Sequence, residues 1–128
     1  MTSLDAVTGW VASYRAAWES NDPDDIGGLF AEDAAYFTEP WAKPWLGRDE
    51  IVKCWLQRKD NPGSTTFEWH PVIVTDELAV VAARTVYTEL AQIFHNMWVL
   101  RLDTNGQARQ FTEWWMQQPP SDAARETP

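Results

Sequence analysis

The first apolar positions fall at Leu4, Val7, Val11, Tyr14 and Trp18. Steps of three and four place them on one stripe of a helix, because a turn takes about 3.6 residues. Thr2 or Ser3 is available as N-cap, Asp5 lies in the first turn, and the helix should stop near Ser20, before Asn21-Asp22-Pro23. Asp22 is placed to cap a short second helix. Pro23 takes its first position, where a missing N–H costs nothing, and Ile26, Leu29 and Phe30 form its buried side. Ala34 to Thr38 reads as a strand, and Glu39 to Leu46 as a Pro- and Trp-containing loop of the kind that borders sites. After Gly47 the pattern predicts a third helix from Asp49 to Lys59, with Ile51, Val52, Trp55 and Leu56 on one face and Asn61-Pro62-Gly63 as its stop.

The period then changes. Residues 65–75, 79–89, 92–103 and 107–117 are rich in Val, Thr, Phe, Tyr and Trp and read as successive antiparallel strands. Two helices, a strand, a helix and a run of strands make an α+β domain whose helices cover one face of the sheet. No linker or repeat divides residues 1–118, so one domain is expected, followed by a disordered tail over 119–128.

A chain of 128 residues with 45% apolar content can bury a core without disulfides or a structural metal. Cys54 is the only cysteine, which excludes an internal disulfide, and no Cys/His spacing suits zinc. Lone His70 and His95 do not change that, so neither metal nor cofactor is expected. The N-terminus lacks a basic start followed by an apolar run, and no window approaches the roughly 20 apolar residues of a membrane span. A cytoplasmic protein is the expectation. Ten basic against nineteen acidic residues give a net charge of −9, which repels nucleic acid and anionic lipid. Aromatic residues make up 13% of the chain, more than a core of this size needs, and the surplus would line a pocket or a subunit interface.

One short string occurs twice: Phe-Thr-Glu at 37–39, within AYFTEPWAK, and again at 111–113, within ARQFTEWWM. The flanks differ, so this is no tandem repeat, but both copies set a carboxylate beside large rings. No G-x-G-x-x-G, P-loop or G-x-S-x-G pattern competes for attention.

The run AAWESNDPDDIGGLFAEDAAYFTEP, then GRDEIVKCW, then WVLRLDTNGQARQFTEWWM resembles the SnoaL-like branch of the NTF2-like superfamily, which includes ketosteroid isomerases and polyketide cyclases. The resemblance implies a cone, an NTF2-like or cystatin-like α+β barrel. In it a strongly curved, mostly antiparallel sheet wraps around three helices over a deep apolar pocket, and its outer face forms a homodimer. Tyr14 is similar in place to a tyrosine that donates to the substrate oxygen in the isomerases. Glu39-Pro40 is similar to their catalytic acid-Pro pair once one residue is inserted. Trp98 stands where they carry a second acid, a departure from steroid isomerisation.

The last hairpin decides which face Glu113 takes, because a one-residue slip turns every side chain over. A type I′ turn at Asn105-Gly106 pairs Thr104 with Gln107 and sets Trp98 opposite Glu113, Asn96 opposite Trp115 and Leu100 opposite Phe111. A type I turn with Gly106 in a bulge shifts the partners by one. The resemblance favours the first register. The pocket would then hold Tyr14, Glu39, Asn96 and Glu113 among Trp98, Phe111, Trp115, Trp41, Trp55 and Tyr87, with His95 and Arg101 on the outer side. Burial and a second carboxylate raise a carboxyl pKa, so one glutamate could serve as base and the other as donor beside Tyr14. The plainer readings are an outward or merely structural Glu113, a turn-forming Glu39 and a core Tyr14. The expectation is a pocket for a small hydrophobic molecule: either a cofactor-free isomerase, cyclase or dehydratase working by carboxylate acid–base catalysis on a carbonyl compound, or a non-catalytic binding module that dimerises through its sheet. A pocket too filled by tryptophan to bind anything is the third possibility.

Overall fold

The computed structural model describes residues 3–59 and 65–119. The Asn61-Pro62-Gly63 stop and residues 120–128 of the expected tail lie outside them.

Helix α1 spans Leu4–Ser20, and the Ser3 hydroxyl caps it by accepting from the Ala6 N–H at 3.2 Å. It ends at Asn21, whose left-handed backbone (φ 50°) is one that asparagine tolerates better than most residues. Its buried stripe is rotated from the expected one. Leu4 is 53% exposed, whereas Trp10, three residues after Val7, is in the core. A buried indole needs an acceptor, and the Leu29 carbonyl supplies it at 2.9 Å.

Helix α2 (Pro23–Gly27) is a single turn capped by Asp22, whose carboxylate accepts from the Asp24 N–H at 2.8 Å. Leu29 and Phe30 are buried but lie beyond it, and Phe30 opens strand β1 (Phe30–Phe37), four residues ahead of the predicted start. Exposed Glu32 and Asp33 sit together where the pairing shifts register, which hides the strand from any alternation rule. Within the expected loop, Trp45–Leu46 forms a two-residue strand β2 against β1. Helix α3 (Arg48–Gln57) follows Gly47 (φ 87°), and the Glu50 carboxylate accepts from the Leu46 N–H. Ile51 and Trp55 enter the core and Val52 and Leu56 pack at its border.

Strands β3 (Thr65–Val74), β4 (Ala79–Tyr87), β5 (Gln92–Leu102) and β6 (Ala108–Gln118) complete a six-stranded open sheet of order β2-β1-β6-β5-β4-β3. Neighbours are antiparallel except β1 and β6, which run parallel. Val7, Val11 and Trp18 of α1 and Ile51 of α3 share one core with Val81, Trp98, Leu100 and Phe111 of the sheet. The helices therefore cover the concave face.

The β5–β6 turn differs from the expected type I′. Gly106 has φ 76° while Asn105 keeps a negative φ, and the Gly106 N–H bonds the Asp103 carbonyl at 3.1 Å, so this is a type I turn with a left-handed glycine after it. Asp103 stabilises it by accepting from the N–H groups of Asn105 and Gln107 at 2.8 and 3.0 Å. That geometry pairs Leu102 with Ala108, one residue off the I′ register. Arg109 is then an unpaired extra residue, a β-bulge, and beyond it the pairs are Leu100 with Phe111, Trp98 with Glu113 and Asn96 with Trp115. Two one-residue shifts cancel, so Glu113 reaches the concave face by a different route from the one expected.

Candidate functional site

The open end of the concave face holds a cavity of about 360 Å³. Alternation along each strand supplies its wall: Glu113 and Trp115 from β6, Asn96 and Trp98 from β5, Thr85 and Tyr87 from β4, and Phe67 from β3. Tyr14 and Trp18 come from α1, Trp55 from the last turn of α3, and Tyr36 and Trp45 from the β1–β2 pair.

Glu113 is held from two sides. Its Oε2 accepts from Asn96 Nδ2 at 2.6 Å and from Trp98 Nε1 at 3.0 Å. The Asn96 amide is oriented in turn by the Thr85 hydroxyl, which donates to Asn96 Oδ1 at 3.0 Å. A relay from Thr85 through Asn96 thus fixes the carboxyl group, and buried Thr85 has its polar atom satisfied. Trp98 does not point its N–H at the cavity as a substitute for a second acid; that N–H belongs to Glu113.

Tyr14 packs its ring on Trp98, with centroids 4.7 Å apart, and on Trp55 at 5.1 Å. Its hydroxyl lies 3.4 Å from that of Tyr36. Burial, with Tyr36 and the charge of Glu113 adding to it, pushes the Tyr14 hydroxyl well above the ordinary tyrosine value of 10.0. It stays a neutral O–H donor within electrostatic reach of Glu113.

Glu39 also lines the cavity, at its rim. Strand β1 ends at Phe37, which pairs with Thr112, so the two Phe-Thr-Glu segments lie on neighbouring parallel strands, staggered by one residue. A continued strand would turn Glu39 to the outer face; leaving the ladder lets it turn inward. Its carboxylate accepts from the Thr38 hydroxyl and, at 3.4 Å, from Trp115 Nε1. Trp115 therefore links the two copies.

Two expected pocket residues are elsewhere. Trp41 is 82% exposed on a turn closed by the Ala42 N–H and the Glu39 carbonyl, and does not line the cavity. Trp45 does so instead, because pairing with Tyr36 draws β2 against the sheet and stacks the two rings 4.8 Å apart. Phe111 is fully buried behind the wall, opposite Leu100 and stacked against Tyr14, so it is core. Asn96, Trp98, Trp115, Trp55 and Tyr87 line the cavity. Thr85 and Tyr36 were missed, although stepping back two from Tyr87 along β4 points to Thr85. Arg58 and Lys59, at the end of α3, also line the cavity.

Among the described residues no three His, Cys, Asp or Glu side chains gather as a metal cage, and no helix is long and apolar enough to cross a membrane.

Solved structures share this architecture at low identity. An NTF2-like protein of unknown function from Mesorhizobium loti is 16% identical with a TM-score of 0.64, over 88% of this chain and 92% of that one. A protein of unknown function with a cystatin-like fold from Methylobium petroleophilum is 14% identical with a TM-score of 0.65, over 91% of this chain and 79% of that one. A chain from Kribbella flavida described as a "putative ketosteroid isomerase" is 16% identical with a TM-score of 0.67, over 93% of this chain and 84% of that one. Such identities establish the fold alone. No curated protein matches the sequence. The model of the SnoaL-like domain matches residues 11–117, nearly the whole of the folded chain, and the protein therefore belongs to the SnoaL-like family of the NTF2-like superfamily.

Proposed function

We propose that the cavity binds a small hydrophobic carbonyl compound and that the protein is a cofactor-free acid–base enzyme of the isomerase, cyclase or dehydratase kind. The observation that supports it is the pairing of a fixed carboxyl group, Glu113, with a neutral phenol, Tyr14, in one aromatic-walled cavity. Glu113 takes a proton from the carbon next to the carbonyl. The C–H electron pair moves into the carbonyl, and Tyr14 donates a hydrogen bond to the oxygen that becomes negative. The protonated Glu113 then returns its proton to another carbon, giving an isomer, or to a departing hydroxyl, giving water. Glu39 at the rim is the second carboxyl group within reach of a bound compound.

A non-catalytic reading keeps the pocket and drops the chemistry. The outer sheet face supports its dimeric form: Met97 is 41%, Trp114 38% and Met116 72% exposed on adjoining strands, an apolar patch suited to a second copy of the chain in the cytoplasm. Five tryptophans line the cavity, so their fluorescence separates the readings as steroids, aromatic polyketides and terpenoid ketones are added. Quenching with product supports the enzyme, and quenching without product supports the binding module. If Glu113→Gln and Glu39→Gln each leave turnover unchanged, the proposed chemistry is wrong.

A further inference from the structure

The two cations at the cavity are unusual in a chain of net charge −9. Arg58 is the C-terminal cap residue of α3, its backbone N–H bonded to the Trp55 carbonyl at 3.0 Å, and Lys59 follows it. Both side chains are exposed, and among the described residues neither pairs with a carboxylate. A cation near a helix C-terminus is favoured by the carbonyl dipoles there, but that does not require it to overhang a pocket. Arg58 does: its guanidinium lies 5.6 Å from the centroid of Trp45, a wall residue that stacks on Tyr36. Tyr36 in turn reaches Tyr14 through their hydroxyls at 3.4 Å. A continuous line of groups runs from the cationic rim to the phenol in the interior.

The rim is asymmetric in charge. Glu39 and Glu113 are engaged on the strand side by Thr38, Trp115, Asn96 and Trp98, so their negative charge is already met by local donors. On the α3 side Arg58 and Lys59 line the same cavity, and a guanidinium is suited to a carboxylate because two N–H groups match its two oxygens.

We infer that Arg58 and Lys59 form an anion subsite, and that the compound bound is a ring-containing keto acid whose carboxylate stays at the rim while its carbonyl end enters the aromatic cavity. This rests on the pocket reading proposed above and narrows its substrate class. A neutral steroid or terpenoid ketone would leave the subsite unused. Binding energy from the remote carboxylate would also orient the reacting end towards Tyr14 and Glu113.

The test uses tetralone carboxylic acids and their methyl esters as matched probes, followed by tryptophan fluorescence with the full chain. The acid should bind at least about tenfold more tightly than its ester, a difference typical of a charge-assisted contact, and the gap should shrink as salt is raised. Arg58→Gln together with Lys59→Gln should remove the preference for the acid, weakening the acid at least about tenfold more than the ester; both residues are exposed, so the variant keeps its fold. Equal affinity for acid and ester in the unaltered protein, equal weakening of both in the variant, or binding of neither would overturn the subsite. Proton exchange next to the probe carbonyl, measured in parallel, reports on the acid–base proposal separately: acid preference without exchange leaves the subsite standing, and exchange without acid preference does the reverse.

Discussion

The two faces of the β5–β6 hairpin carry the same kinds of residue with opposite fates. On the concave face Trp98 is 2% exposed and donates its N–H to Glu113; on the outer face Trp114 is 38% exposed beside Met97 and Met116. Inside, Asn96, Thr85 and Glu113 satisfy one another in a chain of short bonds, while outside the His95 ring meets the Gln118 amide oxygen at 2.7 Å on open surface. Composition does not separate these faces. Register does, and it depends on an Asp103–Gly106 turn and an Arg109 bulge whose shifts cancel. Had either occurred alone, Trp114 and Met116 would face the helices, and Glu113 and Trp115 would face solvent.

Truncating one ring on each face should separate the two faces most strongly. Trp98→Ala removes an indole packed on Tyr14, Phe67 and Phe111 and leaves Glu113 short of a donor, so it should cost about 3–5 kcal/mol in urea unfolding. Trp114→Ala should cost less than about 1 kcal/mol. Equal losses would show that the outer face is covered as thoroughly as the inner one.

The turn offers a smaller effect. Gly106 has φ 76° and open space around it, so Gly106→Ala should cost about 1 kcal/mol through backbone strain alone, without changing which residues face the cavity. A loss of ligand binding in that variant would mean the register is less firmly held than its bonds imply.

Tyr14 gives an effect confined to alkaline pH. Its ionisation in the fold is pushed above the value of 10.0 it has when exposed, so the native state holds this proton more tightly than the unfolded chain. The resulting stability is fully present below pH 10 and is lost as pH rises through the raised value. An absorbance titration should show a tyrosine that resists ionisation, and Tyr14→Phe should remove that resistant step and flatten the alkaline loss of stability. Ordinary titration of every tyrosine would contradict the burial described here.

Much of this was legible because it is local. The Ser3 and Asp22 caps, the stop at Asn21 and the alternation of the four long strands each depend on a few neighbouring residues. Strand β2 was not legible, since two residues have no period, and only its pairing with β1 explains why Trp45 enters the cavity while Trp41 does not. The Arg109 bulge has no sequence signature, and the turn pattern admitted two types whose difference the bulge erases. Arg58 and Lys59 lay within the predicted third helix, but their approach to the cavity follows from how α3 docks, a long-range outcome.

If Glu113 and Tyr14 act together as proposed, the carbon beside a bound carbonyl exchanges its hydrogen with solvent. The direct measurement is deuterium uptake from heavy water at that carbon in cyclic ketones and keto acids bound to the protein, followed by NMR. Protein-dependent uptake is expected to fall at least about a hundredfold in Glu113→Gln, the scale of lost general-base catalysis, while binding persists. Binding without uptake in the unaltered protein, or uptake that survives in Glu113→Gln, would contradict it.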